Sequence, residues 1–448
     1  MFFKNSFFLF GLVVLLRPFS LVGQQSLQSN LPIILIDTDD WLIFDEPKFP
    51  ATLYLAHRKD GSFNEVRDTA TALRLPIGIE LRGKTSQLLS PKKPYAIEIR
   101  DEAGRKNDLP LLGCKSEHDY ILLAPYSDKT LIRDRLGFSL AQRLSGLKYT
   151  PTTQFVELVL NGEYRGVYVW TEKIKRDINR VNIPPSEEDS TVTSFMIKLD
   201  KSDGLVPNEF WTSSIPPKNA TNNQQIRFLF HYPKAANITA SQVTSIQQWM
   251  KTMEDTLASS GFSRPTGGYR RYLDVPSFID FFLLTELSRN VDGYRISSYF
   301  YKNDVVGDTL FHAGPVWDFN LCFGNIDYCE GASTEGWAKD FNKICGNHQL
   351  LVPFWWDRLW EDPAFREQVK ARWKELRATV FSDVALEQLI DGLSEELAMG
   401  AAARNFKKWP VLGVKVWPNY YVGATWEEEL AWLKRWIKAR AAWMDNMK

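Results

Sequence analysis

This sequence predicts an α+β protein with a β-rich N-terminal half and a helical C-terminal region, on three observations. Up to about residue 170, short runs alternate apolar and polar side chains, the period of strands with one buried face. The run FIDFFLLTEL at 278–287 is apolar nearly all round, which predicts a helix enclosed in a larger domain. From about residue 353 onward the spacing turns helical, with Trp at frequent intervals.

Taken in chain order, MFFKNSFFLFGLVVLLRPFSLVG carries Lys4, an apolar run from Phe7 to Leu16, and small Gly23 before Gln24. That layout predicts a secretory leader over 1–23; Leu21, three places before the cut, keeps an uncleaved anchor as the competing reading. No later stretch approaches the roughly 20 apolar residues of a spanning helix. The expected mature chain is therefore soluble, lacks a transmembrane segment, and is secreted, periplasmic or held at the cell surface.

Residues 24–74 hold two or three short strands, in LPIILIDTDD and PATLYLAHR. Strands are expected again at 77–82 and 94–100. A helix carrying Leu131, Ile132, Leu136, Leu140 and Leu144 follows, with Asp128 placed to cap it. Asn161-Gly162, between QFVELVL and EYRGVYVW, predicts a tight hairpin because both turn positions want positive φ. The polar stretch 202–240 reads as a long loop or insertion, and SSYFYK with TLFHAGPVW as a second hairpin. The expected division is 1–23 leader, 24–74 β-rich segment, 75–352 central domain and 353–448 helical region packed on that domain.

With 54 basic and 54 acidic side chains, no global field draws the chain to nucleic acid or an anionic membrane, so an anionic ligand needs a local site. Export permits disulfides. Cys329 and Cys345 flank a polar loop and are expected to pair, leaving Cys114 and Cys322 as buried thiols. Zinc is the competing use of these cysteines, but there is no C-x-x-C pair and His348 alone does not complete a site. The 16 Trp and 28 Phe suit core packing, and also sugar or base stacking.

The chemistry lies in GPVWDFNLCFGN at 314–325, where Asp318 interrupts an apolar strand and Asn320 follows two places on. Asn290-Val291-Asp292 ends the buried helix and Asp318 ends the hairpin 26 residues later, so both carboxylates are expected on one side of that hairpin. Protein kinases use this order: a buried helix, a catalytic-loop Asp, a hairpin, then an Asp-Phe that faces Mg²⁺. Asp318 suits the metal, which prefers hard oxygen ligands; Asp292 suits the attacking hydroxyl. Strand parity puts Lys93 on the face of Tyr95, Ile97 and Ile99, making it the inward lysine, and leaves Lys92 with Glu98 and Arg100. The same parity sets Glu172 beside Tyr168 and Trp170, where a pairing with Lys93 or a metal would offset its burial. Taken singly, Asp292 also fits a plain turn, Asp318 a core ion pair, and any two of these carboxylates a glycosidase pair.

Six stretches in one order carry a family likeness: IELRGKTSQ at 79, PKKPYAIEI at 91, PYSDKTLIRDRLGFSLA at 125, FVELVLNGEYRGVYVWTEKIKRDINRV at 155, NVDGYRISSYFYK at 290 and GPVWDFNLCFGN at 314. Over roughly residues 75–350 the sequence resembles the CotH kinases, the secreted and spore-coat kinases named for spore coat protein H. The resemblance implies an atypical protein-kinase-like fold and phosphoryl transfer from ATP, with Mg²⁺ or Mn²⁺, to Ser or Thr of a protein. It implies that Lys93 contacts phosphate, Asp292 is catalytic and Asp318 binds metal. Arg82, Arg133 and Glu172 fall at motif positions near the nucleotide. The sequence departs from the pattern at Ser297, where protein kinases carry an Asn five places after the catalytic Asp; Asn320 is the expected substitute metal contact. No Gly-x-Gly-x-x-Gly occurs, so Gly83, Lys84, Thr85 and Ser86 are left to cover the phosphates. Two rival functions remain: a secreted binding protein that has lost transfer, and a carbohydrate-active protein with Trp355, Trp356, Trp409 and Trp417 lining a groove.

Overall fold

The computed structural model describes residues 27–67, 72–186 and 194–447; the expected leader lies outside them. Helices and strands are both abundant, as an α+β class requires. Seven strands close into a barrel, a feature that the alternation pattern does not announce. Around it run Ile33–Asp37, Phe49–Ala56, Leu73–Leu81, Tyr95–Ile99, Asp119–Leu123, Glu163–Glu172 and Thr153–Leu160. Neighbours are antiparallel until the closing seam, where Ile33 to Ile36 pair in parallel with Glu157 to Leu160. Closure leaves no free edge for other chains to extend. The Asn161-Gly162 turn has φ of +48° and +74°, and Leu160 pairs with Glu163 across it.

Alternation along these strands sorts the side chains. Ile34, Ile77, Ile97, Tyr120, Val156, Tyr168 and Trp170 fill the barrel. The opposite parity, with Ile121, Phe155, Val167 and Val169, faces outward but is not solvated, because it joins a larger core. A five-stranded antiparallel sheet belongs to that core, in the order Phe210–Thr212, Arg227–Tyr232, Phe195–Leu199, Ser298–Lys302 and Phe311–Ala313. Two of its strands, Phe210–Thr212 and Arg227–Tyr232, lie in the stretch expected to be a loop. They form because Phe210 and Trp211 pair with Leu229 and Phe228, and Trp211 stacks near Phe228 and Phe230. Polar neighbours dilute this aromatic cluster in the sequence.

The helix Val275–Ser288 is enclosed as expected, with every residue from Ser277 to Ser288 buried. Trp356 stacks on Phe281 at 5.5 Å and Trp355 on Phe228 at 5.6 Å. Both indoles are core residues at 1 % exposure, so they line no sugar groove. Trp409 donates to Arg165 O, and of these four Trp only Trp417 stands well exposed, stacked on Tyr328.

Five helices follow: Trp355–Glu361, Pro363–Arg377, Asp383–Ala398, Ala401–Lys408 and Trp426–Met444. Ala401–Lys408 lies on the barrel, where Asn405 Oδ1 accepts from Val167 N and from the buried Lys92 Nζ. Trp426–Met444 lies on Val275–Ser288, pinned by Arg440 Nη2 to Glu286 Oε2 at 3.1 Å. Among the described residues no helix is long and apolar enough to cross a membrane. Cys329 and Cys345 are bonded, with Cα atoms 5.8 Å apart, while Cys114 and Cys322 are buried thiols.

Candidate active site

Asp318 is placed by its neighbours. Phe319 anchors the segment: its ring lies flat over Gly137 of the helix Arg133–Ala141, where a Cβ would come within 2.1 Å of it. Its backbone N–H donates to Asp134 Oδ1 at 2.9 Å. Trp317 and Phe319 both meet Phe138 edge-on, at 5.5 and 5.4 Å. Between these two buried aromatics Asp318 adopts φ +68°, a left-handed conformation held by both flanks. The carboxylate is half-buried in the cleft between the barrel and the five-stranded sheet. Burial, then the negative charges of Asp292 and Asp200, push its pKa up to about 6, against the pull of Arg82 and Lys198. Asp134, behind it, is pushed up to about 8 by burial and then by Asp318 itself.

Asp292 arrives from the other direction. The helix Val275–Ser288 ends at Arg289, whose φ of +43° reverses the chain; Arg289 is fixed by donating to Glu330 O and Gly336 O. The turn that follows is closed by Asn290 Oδ1 accepting from Asp292 N, and Asn290 Nδ2 reaches Asp318 O at 3.4 Å. Asp292 Oδ1 accepts from Arg295 Nη2 at 2.6 Å.

Cations face the two carboxylates. Arg82 leaves the barrel strand Leu73–Leu81 with its guanidinium 4.8 Å over the Trp317 ring, and its Nη1 is closed off from solvent without a hydrogen-bond partner. Lys198, on the strand Phe195–Leu199, pairs with Asp200 and stands 5.3 Å over the Tyr299 ring. Lys201 Nζ donates to Thr85 Oγ1 at 2.6 Å and Lys84 to Asp203 O. These bonds tie the 83–89 segment, which contains the short helix Thr85–Leu89, down beside Asp200.

The residues expected at the nucleotide divide. Arg82, Asp292 and Asp318 share one electrostatic neighbourhood. Asn320 lies two residues after Asp318, and its Oδ1 is buried without a hydrogen-bond donor. The expected Lys93–Glu172 pair is not formed. Lys93 Nζ donates to Gln87 O, tying down the 83–89 segment. Glu172 instead accepts from Thr152 N at 2.8 Å and Tyr149 Oη at 3.1 Å, with Arg180 Nη1 3.3 Å away. Parity puts Lys93 in the row of Tyr95 and Ile97, both packed in the barrel core, but parity does not name the partner its ammonium takes. Arg133 is likewise engaged elsewhere: Asp128 Oδ1 accepts from its Nη1 at 2.6 Å, and Asp128 Oδ2 from its backbone N–H. Asp128 therefore braces the turn before the helix, which starts at Arg133, and is not its N-cap.

Sequence reasoning passed over Lys198, Asp200, Asp134 and Arg295. Two of them left a signal: in FMIKLD, a charged pair at i and i+2 sits on one face of an otherwise apolar strand. An oxygen-rich set of Asp318, Asn320 and Asp200 fits a hard divalent cation, and the partnerless Oδ1 of Asn320 is the observation that favours it. The unsatisfied Arg82 Nη1 and the ammonium of Lys198 fit phosphate oxygens.

A closed barrel and a five-stranded sheet bring Asp292 and Asp318 into one electrostatic neighbourhood with Arg82 and Lys198. Residues 79–444 match the family model described as CotH kinase protein, and the chain belongs to that family. No match was found among curated proteins.

Proposed function

We propose that this chain transfers the γ-phosphoryl group of Mg-ATP to a Ser or Thr hydroxyl of a protein, with an atypical kinase-like architecture in which the barrel and the 83–89 segment cover the nucleotide. The observation that carries the reading is the convergence of Asp292 and Asp318, 26 residues apart in sequence, on a cleft shared with Arg82 and Lys198. Asp318, with Asn320, would hold the divalent ion, which supplies neutralisation of phosphate charge. Arg82 and Lys198 bind phosphate oxygens from the opposite wall. Asp292 orients the acceptor hydroxyl and takes its proton. Ser297 offers no amide carbonyl where protein kinases have one, so metal contact falls to Asn320. With the leader expected over 1–23, the reaction takes place outside the cytoplasm.

The test is transfer of label from ATP by the purified mature chain, with Mg²⁺ or Mn²⁺, alongside nucleotide affinity by calorimetry. Asp318→Asn removes a negative ligand, so Mg-ATP affinity and turnover should fall together. Asp292→Asn should leave affinity intact and lower turnover by about 10²- to 10⁴-fold. Mg-ATP bound without transfer by the parent would instead make the chain a nucleotide-binding protein. Affinity unchanged in Asp318→Asn would make Asp318 a core carboxylate and end the proposal.

A further inference from the structure

Arg295 is the side chain that fixes Asp292. Beyond the 2.6 Å bond from Nη2 to Asp292 Oδ1, its Nε donates to Val291 O at 2.8 Å. Among the described residues no donor takes Asp292 Oδ2, so Arg295 holds one oxygen and leaves the other to the cleft. The Arg295 side chain is 1 % exposed, and its other nitrogen belongs to a distant part of the chain. Nη1 reaches Leu350 O and His348 Nδ1, each at 3.2 Å. Leu350 N donates to the same Nδ1 at 3.0 Å, and Leu350 O also lies 3.0 Å from it. Phe341 lies face-on to the guanidinium at 3.9 Å, a distance at which a desolvated cation gains from the ring's negative face.

The segment supplying these contacts has little regular structure beyond the 3-10 turn Ala338–Asp340 and the short helix Phe341–Ile344. The Cys329–Cys345 bond closes it, and His348 N donates to Cys345 O at 2.9 Å. Gln224 Nε2 donates to Gly346 O at 2.8 Å and His348 O at 3.0 Å, and Thr221 Oγ1 to Gly346 O. Tyr328, beside Cys329, is pushed up by burial and by the charge of Asp292. The Cys345 end of the bridge thus connects to the Asp292 turn through His348 and Arg295.

The geometry points to Arg295 as the positioning residue of Asp292, clamped by the disulfide-closed segment 329–350, so that an intact Cys329–Cys345 bond is needed for full turnover. This rests on the role given to Asp292 in the reading above. The clamp touches neither Asp318 nor the cations, so it bears on turnover and leaves nucleotide affinity alone.

Three variants, Arg295→Lys, Arg295→Gln and Cys345→Ser, test it by turnover, Mg-ATP affinity and amide hydrogen exchange across 290–298. A lysine can reach Asp292 but cannot serve Leu350 and His348 as well, so the expected order of kcat is parent, Arg295→Lys, Arg295→Gln. Misplacing a catalytic group by about 1 Å costs on the order of 10²-fold, so Arg295→Gln should lose about that much, and Cys345→Ser about tenfold on the same scale. Mg-ATP affinity should stay within about twofold of the parent, the split that a general loss of fold would not produce. Exchange at Arg295 N and Ile296 N, both bonded to Asp292 O, should quicken in Cys345→Ser. Unchanged kcat in Arg295→Gln, or unchanged exchange in Cys345→Ser, overturns the clamp. If the parent itself transfers no phosphate, the functional reading fails, while the exchange result still decides whether the disulfide holds the Asp292 turn.

Discussion

Gly137→Ala perturbs the candidate site without touching any group in it. A Cβ at residue 137 would stand 2.1 Å from Phe319 Cγ and within 2.5 Å of both Cδ atoms, so the ring must move. It cannot swing freely, because it is 2 % exposed and wedged edge-on against Phe138. Overpacking of this kind costs about 1–3 kcal/mol. Replacing a mid-helix glycine by alanine recovers about 0.5–1 kcal/mol, which leaves a net destabilisation of up to about 2.5 kcal/mol. The functional effect should be larger. Asp318 precedes the displaced ring directly, and a shift of about 1 Å at a metal ligand can cost on the order of 10²-fold in turnover. Mg-ATP affinity should fall in parallel, unlike the outcome for Arg295→Gln. Denaturant unfolding, calorimetry and phosphate transfer on the parent and Gly137→Ala measure the three quantities. A variant that is more stable, by the helix-propensity gain alone, and keeps its affinity would refute the idea that Gly137 seats Phe319 and thereby aims Asp318.

Three other outcomes follow from the packing. Replacing Cys329 and Cys345 by Ser should cost about 3 kcal/mol, the chain-entropy value for a loop of about 15 residues, read from denaturant unfolding as a lower midpoint. Arg440→Ala should destabilise by about 3–5 kcal/mol, because it strands Glu286 in a site where both side chains are fully enclosed; Arg440→Met with Glu286→Gln should recover much of that loss in the same unfolding assay. His312 sits between Asp274 at 3.0 Å and Asp308 at 2.9 Å; burial opposes its charge, but these two carboxylates outweigh it and raise its pKa above 6.5. The folded state therefore binds the proton more tightly than the unfolded chain. Its stabilisation is complete below about pH 6.5 and fades as pH rises through the raised folded value; thermal melts across pH 5.5–9 should show that slope in the parent and lack it in His312→Gln.

Local pattern was enough for the α+β class, the Asn161-Gly162 hairpin, the buried helix expected at 278–287 and the Cys329–Cys345 bond, because each follows from neighbours in sequence: a turn pair, an unbroken apolar run, two cysteines around a polar loop. It also singled out Asp292 and Asp318, since a carboxylate between Trp317 and Phe319 is costly unless something faces it. Barrel closure was decided only in three dimensions. Its seam joins Ile33 to Glu157, and strand alternation reports which face a side chain takes but not what covers that face. For the same reason parity sorts Lys92 and Lys93 to opposite faces without giving their partners: Lys92 is buried against Asn405 of the helix Ala401–Lys408, and Lys93 donates to Gln87 O. Glu172 met Arg180 in place of Lys93, and Arg295 found Leu350 and His348 more than 50 residues on. Ion pairs of this range depend on which long side chains the packed backbone brings within about 4 Å, a distance that sequence spacing does not encode.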